Sequence, residues 1–348
     1  MKTKNRVLFI GPTYMDIYLD VIAEFERQGY EVDFIKERQR NNDPFSVRYE
    51  FFRPHLGIER QKAEYWKNLL QQPQYAGCYD LLFVIDGQGL HASLFDILLE
   101  RNPNMQCVNY LFDTTYGVYH FEYFFDRFDQ IFTFDLGESR KYGIGFLPIY
   151  WVASDNSVEV NEKYVMFGFG AYNPNRFEVF THLSEYCREE QLPAFIHLFE
   201  KMKSREWVYV IKQLMRRLIG LRAHMPLSHY HSPIITDRTL SPTDFRRFIY
   251  QSRVTIDTHP AHQDGLTARF MWALGAKKKI ITTNSNICQY DFYSPEQIFV
   301  LKGNDDIEQE SDINLFINSN SQIPEEKKKI IERYRIDNWM RTLLGESR

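Results

Sequence analysis

The amino-acid sequence predicts an α/β protein built from two successive Rossmann-like domains followed by a C-terminal helix. Three observations carry that prediction. A strand–helix–Gly–strand unit opens the chain, and a second α/β pattern restarts near residue 164. The length, 348 residues, suits two domains of ~150 residues each.

The elements follow in order. Residues 6–10 (RVLFI) form a short apolar run ended by Gly11-Pro12, the pattern of a buried strand. Residues 15–28 are amphipathic and Gly29 stops them, after which 31–35 (EVDFI) is the next strand. A βαβ unit of this kind starts a parallel sheet. Strands are predicted at 80–85, 106–111 and 130–134, with helical stretches at 92–101 and 119–128. Residues 146–150 close a first domain, 1–152, and the polar run 153–162 reads as a linker. A second domain, 153–323, opens with a strand at 164–170. It continues with a helix at 176–190, a strand at 194–198 and a basic helical region. Short strands at 254–257 and 279–283 flank a helix at 266–274, and 297–301 is one more strand. Residues 324–348 carry a charged amphipathic helix over 324–344. Ligands of such sheets sit at the carboxyl ends of strands, and a cleft between the two domains is the expected place.

Composition narrows the function classes. With 42 basic and 46 acidic residues the formal charge is -4, which argues against nucleic acid as a partner, because phosphate neutralisation needs a basic surface. The 4 cysteines are far apart without a CxxC pair, so neither a disulfide framework nor a zinc site is suggested and a reducing compartment is expected. The N-terminus lacks the long apolar region of a signal peptide, and no stretch approaches the roughly 20 apolar residues of a membrane span. The expectation is a cytoplasmic protein, at most peripheral to the inner membrane. With 28 Phe and 22 Tyr the chain is rich in rings, which serve large cores and also stack on sugars.

The most informative stretch runs from Asp257 to Arg269 (DTHPAHQDGLTAR). It leaves a strand, crosses a polar turn and enters a helix. Gly265 would let backbone approach a ligand, and Thr267 at the helix start marks a positive dipole end that favours an anion such as a diphosphate. Gln263 and Arg269 add donors. A plain Gly-containing strand-to-helix turn has the same spacing. Asp113, after the strand QCVNYL, could act as general base toward an acceptor hydroxyl or cap the next helix. Asp86, in Asp86-Gly87-Gln88-Gly89, presents the same pair of readings. Gly11, Thr13 and Tyr14 follow the first strand and would line the acceptor side. His259 and His262, three apart near Asp257 and Asp264, lack a convincing third ligand, so no metal is expected. No DxD motif is present. Residues 201–222 carry seven basic side chains against Glu206, with apolar residues interleaved. The stretch reads either as a contact with an anionic membrane surface or as a surface helix with a basic solvent face.

The run His262-Gln263-Asp264-Gly265-Leu266-Thr267-Ala268-Arg269, with Leu274-Gly275-Ala276-Lys277-Lys278-Lys279-Ile280-Ile281-Thr282-Thr283-Asn284 beyond it, resembles a bacterial glycosyltransferase family of the GT-B type. Looser likeness lies in Tyr290-Asp291-Phe292-Tyr293, in 128–135 with Phe146-Leu147-Pro148, and in Phe167-Gly168 with Asn175-Arg176. The resemblance implies a GT-B architecture, with two Rossmann-like domains facing across a cleft. It implies transfer of a sugar from a nucleotide-sugar donor to a glycan or lipid-linked glycan of lipopolysaccharide, capsule or exopolysaccharide. It places His262, Gln263, Gly265, Leu266, Thr267, Arg269 and Asn284 at the donor, with no cofactor beyond the nucleotide sugar. Lys277 to Lys279 would either help meet the diphosphate charge or form a solvated helix end. One departure stands out: Trp272 occupies a position where the pattern commonly has Glu, and an indole cannot accept hydrogen bonds from a ribose. Two rival readings stay open, a non-catalytic glycan- or nucleotide-binding protein and another transferase, such as a pyruvyl transferase, on the same frame.

Overall fold

The structure, a computed structural model, describes residues 5–37, 58–87, 89–114, 121–153, 161–201, 226–259, 264–301, 309–320 and 322–345. The chain forms two compact units. One comprises 1–152, 261–266 and 333–348; the other comprises 153–260 and 267–332. Both are discontinuous, whereas the sequence reading draws contiguous borders.

The first unit runs β1 (Arg6–Gly11), α1 (Ile17–Arg27), β2 (Glu31–Lys36), α2 (Ile58–Leu70), β3 (Leu81–Ile85), α3 (Ala92–Arg101), β4 (Gln106–Leu111), β5 (Gln130–Thr133), α4 (Leu136–Tyr142) and β6 (Gly145–Phe146). Its sheet is parallel throughout, in the order β2-β1-β3-β4-β5-β6. The central strands are apolar on both faces, as burial beneath helices on two sides requires, and all five residues of β3 are buried. The helical stretch expected at 119–128 is a 3-10 helix over Phe121–Arg127.

The second unit runs β7 (Tyr164–Ala171), α5 (Pro174–Glu189), β8 (Ala194–Phe199), α6 (Leu227–Tyr230), β9 (Ile235–Thr236), α7 (Pro242–Tyr250), β10 (Ser252–Asp257), α8 (Ala268–Gly275), β11 (Lys279–Thr282), β12 (Ile298–Val300), α9 (Gln309–Asn318) and α10 (Glu325–Glu332). Its parallel sheet has the order β12-β11-β10-β7-β8-β9. Counted within the unit this is 6-5-4-1-2-3, the dinucleotide-binding order. Asn173, Ser241 and Thr267 cap α5, α7 and α8 through their side chains, and proline follows the first two at the first helical position. The basic stretch 201–222 lies, after Lys201, outside the described residues.

The tail is helical, but in two pieces. After α10 the chain turns, and α11 (Ile336–Leu343) begins anew. The break at 333–335 has a cause in the first unit. There Trp151 donates its amide to the Tyr334 carbonyl at 3.0 Å, and its own carbonyl accepts the Ile336 amide at 3.0 Å. Those two bonds take backbone groups that a continuous helix would use. Trp339 of α11 is fully buried. Its indole N–H donates to the Pro148 carbonyl at 3.1 Å, and its ring meets Tyr110 and Tyr150 edge-on with centroids 4.7 and 4.9 Å away. The last helix is therefore part of the first unit's core.

Candidate functional site

In each sheet the strand order reverses once, between β1 and β3 in the first unit and between β7 and β10 in the second. The crevice outside the carboxyl ends of those strands is where open α/β sheets take ligands.

At the second unit's reversal, β7 ends in Gly170-Ala171 and β10 ends in Asp257, with Thr258 and His259 beyond. Two guanidinium groups converge there. A Cβ placed on Gly170 would come within 2.9 Å of Arg176 Nη1 and 3.1 Å of Arg269 Nη2, so a side chain there would have to displace the ends of both arginines. Arg176, from the first turn of α5, donates through Nε to Thr258 Oγ1 at 2.6 Å and through Nη1 to the Ala171 carbonyl at 2.7 Å. Arg269, from the first turn of α8, reaches the Ile256 carbonyl at 3.4 Å. The start of α8 is fixed by Thr267, whose hydroxyl accepts the Phe270 amide at 3.1 Å and donates to buried Asp257 at 2.6 Å. Asp257 accepts Thr282 Oγ1 at 3.3 Å on its other oxygen. The His259 ring and amide both meet Thr283 Oγ1, at 3.2 and 3.3 Å. Two fixed cations beside a helix N-terminus form a place for an anion.

The other predicted donor residues fare differently. Asn284 is buried and caps the 3-10 helix Ser285–Gln289 by accepting the Asn286 amide at 3.0 Å. Leu266 is a core residue at 1% exposure. Gly265 gives its amide to Asp135 Oδ2 at 2.9 Å, beside Asp264 at 2.7 Å. A Cβ on Gly265 would meet the Phe134 ring at 2.5 Å, so what approaches this backbone closely is Phe134. Leu266 and Gly265 thus fall in the first unit, while Thr267 and Arg269 fall in the second. His262 and Gln263 lie outside the described residues.

Two expectations about nearby residues need revising. Lys278 Nζ donates to the Tyr250 carbonyl at 2.7 Å, closing α7. Lys279 Nζ donates to the Phe316 carbonyl and to the Ser319 carbonyl at 2.6 Å, closing α9. Burial holds both ammonium groups below their ordinary pKa. They stand at the amino end of β11, roughly 10–13 Å of strand away from the carboxyl edge, so these two serve neither a diphosphate nor a solvated helix end, whereas Lys277 is exposed just beyond α8. Trp272 is a core residue at 5% exposure, with Arg246 over its ring at 4.7 Å and Phe245 at its edge. Its indole N–H finds no acceptor among the described residues.

At the first unit's reversal, β1 ends at Gly11, which contacts Phe9 and Ile85 closely enough that a Cβ would sit 2.9 Å from the Phe9 ring. Thr13 precedes a 3-10 turn, Tyr14–Asp16, and Tyr14 is 71% exposed. Asp86 follows β3, buried and at φ 63, while Asp113 follows β4 and is exposed. Asp86 Oδ1 accepts the amides of Phe112 at 2.7 Å and Asp113 at 3.0 Å. Glu37, after β2, is buried and accepts the Gly87 amide at 2.7 Å.

Arg176, which the sequence marks only through the likeness at Asn175-Arg176, and Glu37 stand at these reversal points without having been assigned a site role from sequence. A signal for Arg176 existed, an arginine in the first turn after the glycine-rich end of a unit's first strand. Nothing in the sequence singles out Glu37. Among the described residues no three His, Cys, Asp or Glu side chains come together to hold a metal ion, and no helix is long and apolar enough to cross a membrane.

No protein-family model and no curated protein matches the chain. Solved structures match it along nearly its whole length. An α,α-trehalose-phosphate synthase (UDP-forming) from Burkholderia vietnamiensis gives a TM-score of 0.59 at 10% identity, covering 99% of this chain and 97% of its own. The Candida albicans trehalose-6-phosphate phosphatase N-terminal domain gives 0.57 at 11% identity, covering 99% and 97%. Arabidopsis thaliana UGT89C1 complexed with UDP gives 0.53 at 7% identity, covering 98% and 99%. At such identities the likeness carries the fold alone, and that fold is GT-B, the paired Rossmann-like architecture of nucleotide-sugar glycosyltransferases.

Proposed function

We propose that this chain is a glycosyltransferase that moves a sugar from a nucleotide-activated donor to a hydroxyl of a bacterial surface glycan, of lipopolysaccharide, capsule or exopolysaccharide. The observation that carries the reading is the convergence of Arg176 and Arg269 over Gly170, at the reversal point of a sheet with dinucleotide-binding order. The fold agrees with it.

On this reading the second unit holds the donor. The diphosphate lies against the two guanidinium groups and the start of α8, and charge that develops as the bond from sugar C1 to the diphosphate oxygen breaks is met by fixed cations. That electrostatic work is assigned to arginine, with no protein-bound metal. The first unit serves the acceptor, with Gly11, Thr13 and Tyr14 lining its side and the Asp113 carboxylate taking the hydroxyl proton as the new C1–O bond forms. The protein works in the cytoplasm on a free or lipid-linked glycan, and residues 201–222 supply a peripheral contact with anionic lipid.

A thermal-shift screen of nucleotides and nucleotide sugars, with and without EDTA, tests the donor site. A ligand at 100 times its Kd stabilises the fold by about 2.7 kcal/mol, a shift of several degrees. We expect an EDTA-insensitive shift with one nucleotide, abolished in Arg176→Ala and Arg269→Ala. No shift with any nucleotide would overturn the reading in favour of a non-catalytic glycan-binding protein.

A further inference from the structure

We infer that Asp86 is a positioning residue, which sets the backbone of Phe112 and Asp113 and thereby aims the Asp113 carboxylate. The inference rests on the reading of Asp113 as the base.

The turn that follows β3 already uses glycine where backbone freedom is all it needs: Gly87 and Gly89 stand at φ 113 and 91. At 86 the chain instead keeps a carboxylate at φ 63, a left-handed conformation that favours glycine over a Cβ-bearing residue. What the side chain does there is specific. It crosses to the end of β4 and accepts two successive amides, Phe112 at 2.7 Å and Asp113 at 3.0 Å, on one oxygen. The main chain makes the same crossing. Asp86 N donates to the Tyr110 carbonyl at 2.9 Å, and the Asp86 carbonyl accepts Asn109 Nδ2 at 3.0 Å. Four bonds thus join one residue to the end of β4 and the two residues beyond it.

The turn is clamped from its other side as well. Glu37 accepts the Gly87 amide at 2.7 Å, and Trp66 of α2 donates its indole N–H to the Gly89 carbonyl at 3.1 Å. A strained residue persists where its surroundings over-determine it, and such residues gather at functional sites. Asp86 itself is only 4% exposed, so a substrate hydroxyl cannot reach it without rearrangement. Asp113 is exposed and is the residue whose amide Asp86 holds. With the amides on both sides of the Phe112 Cα drawn to one carboxylate, the peptide plane that carries the Asp113 Cα is set by Asp86. Two charge-assisted bonds make that a stiff mount.

The test compares Asp86→Asn, Asp86→Ala and Asp113→Asn. The reaction read is hydrolysis of the donor that gives the largest thermal shift, water standing in for the acceptor. Among the described residues, the charged groups at the carboxyl ends of these strands with Asp113 include Lys36, Glu37, Asp86 and Asp135. For Asp86→Asn we expect kcat down about 10- to 100-fold, the size of effect a small misplacement produces, with nucleotide affinity unchanged. Its pH profile should keep the acidic limb, which Asp113→Asn should lose. The double variant should be no slower than Asp113→Asn alone, as residues acting through one another require. Loss of the acidic limb in Asp86→Asn would make Asp86 the base and overturn the inference. So would an unchanged kcat per folded molecule.

A second readout does not depend on activity. Amide hydrogen exchange at Phe112 and Asp113 should quicken at least 10-fold in Asp86→Ala while the rest of β4 stays protected; equal protection would overturn the inference by itself. Failure of the glycosyl-transfer reading looks different, as absence of turnover in the unaltered protein while the exchange result stands.

Discussion

Asp257 accepts the Thr267 hydroxyl at 2.6 Å, and that same hydroxyl accepts the Phe270 amide at 3.1 Å. One oxygen thus ties the end of β10 to the start of α8, and that helix end is oriented by a buried carboxylate. Thr267→Val keeps the shape and removes both bonds. Loss of an N-cap costs about 0.5–2 kcal/mol. The melting transition of the second unit should drop by several degrees, and nucleotide affinity should weaken with it. An unchanged transition in scanning calorimetry would show the cap to be ornamental.

Two glycines should respond in opposite ways. At Gly170 a methyl group would meet only the terminal nitrogens of Arg176 and Arg269, which can give way at the expense of the bonds that hold them. Gly170→Ala should therefore melt like the parent and bind nucleotide poorly. At Gly265 the obstacles are the Phe134 ring at 2.5 Å and the Phe134 carbonyl at 3.0 Å, which are held in the core. Gly265→Ala should destabilise the first unit by about 1–3 kcal/mol, the usual scale of overpacking. Melting curves and nucleotide titrations on both variants check the pair, and similar behaviour at the two positions would refute it.

Trp339 fills the aromatic box formed with Tyr110 and Tyr150, and its removal should be severe. Trp339→Ala is expected to cost about 3–5 kcal/mol, the range for a large ring taken from a core. Ending the chain after Glu332 should do at least as much. The damage should fall on the first unit's transition, leaving the second unit's transition and the proposed nucleotide binding unchanged. Two resolved transitions in calorimetry, with only one displaced, is the expected record.

Tyr79 gives a pH dependence with a definite sign. Burial, then its bond to Asp33 at 2.8 Å, holds its phenol well above the ordinary range. The unfolded chain ionises this phenol near pH 10 and the folded chain does not. Stability is therefore complete below pH ~10 and falls as pH rises beyond it, by about 1.4 kcal/mol per pH unit at most. Tyr79→Phe should remove that part of the alkaline slope, leaving Asp33 its bond from Arg6 at 2.6 Å. Urea midpoints from pH 8 to 11 on both proteins decide it, and identical slopes would dismiss Tyr79 as the source.

Much of the fold could be read because the central strands announce themselves. Runs such as RVLFI, LLFVI and QCVNYL are apolar, short and bounded by turn residues, and each lies within a residue of its observed span. The two-residue edge strands at Gly145–Phe146 and Ile235–Thr236 have no such signal, because an edge pair needs no period. The tail looked like one helix because its apolar spacing continues through 333–335, and only the pairing with Trp151 breaks it. The donor-side stretch was informative at Thr267 and Arg269, where local helix physics applies. It was uninformative at Gly265, whose partners stand 130 residues earlier in the chain. Arg176 and Thr258 meet across 82 residues, and Asp86 reaches amides 26 and 27 residues away. Contacts of that length are set by strand order, which no local pattern states.

The last helix also sets a timetable. Trp339 leaves the ribosome 191 residues after Pro148, whose carbonyl it must find. At ~5–20 residues per second that delay is roughly 10–40 s. Throughout it, the apolar faces of Tyr110 and Tyr150 wait without their partner while the residues of the second unit are made. The first unit's core therefore stays without its last ring until nearly the whole second unit has been made.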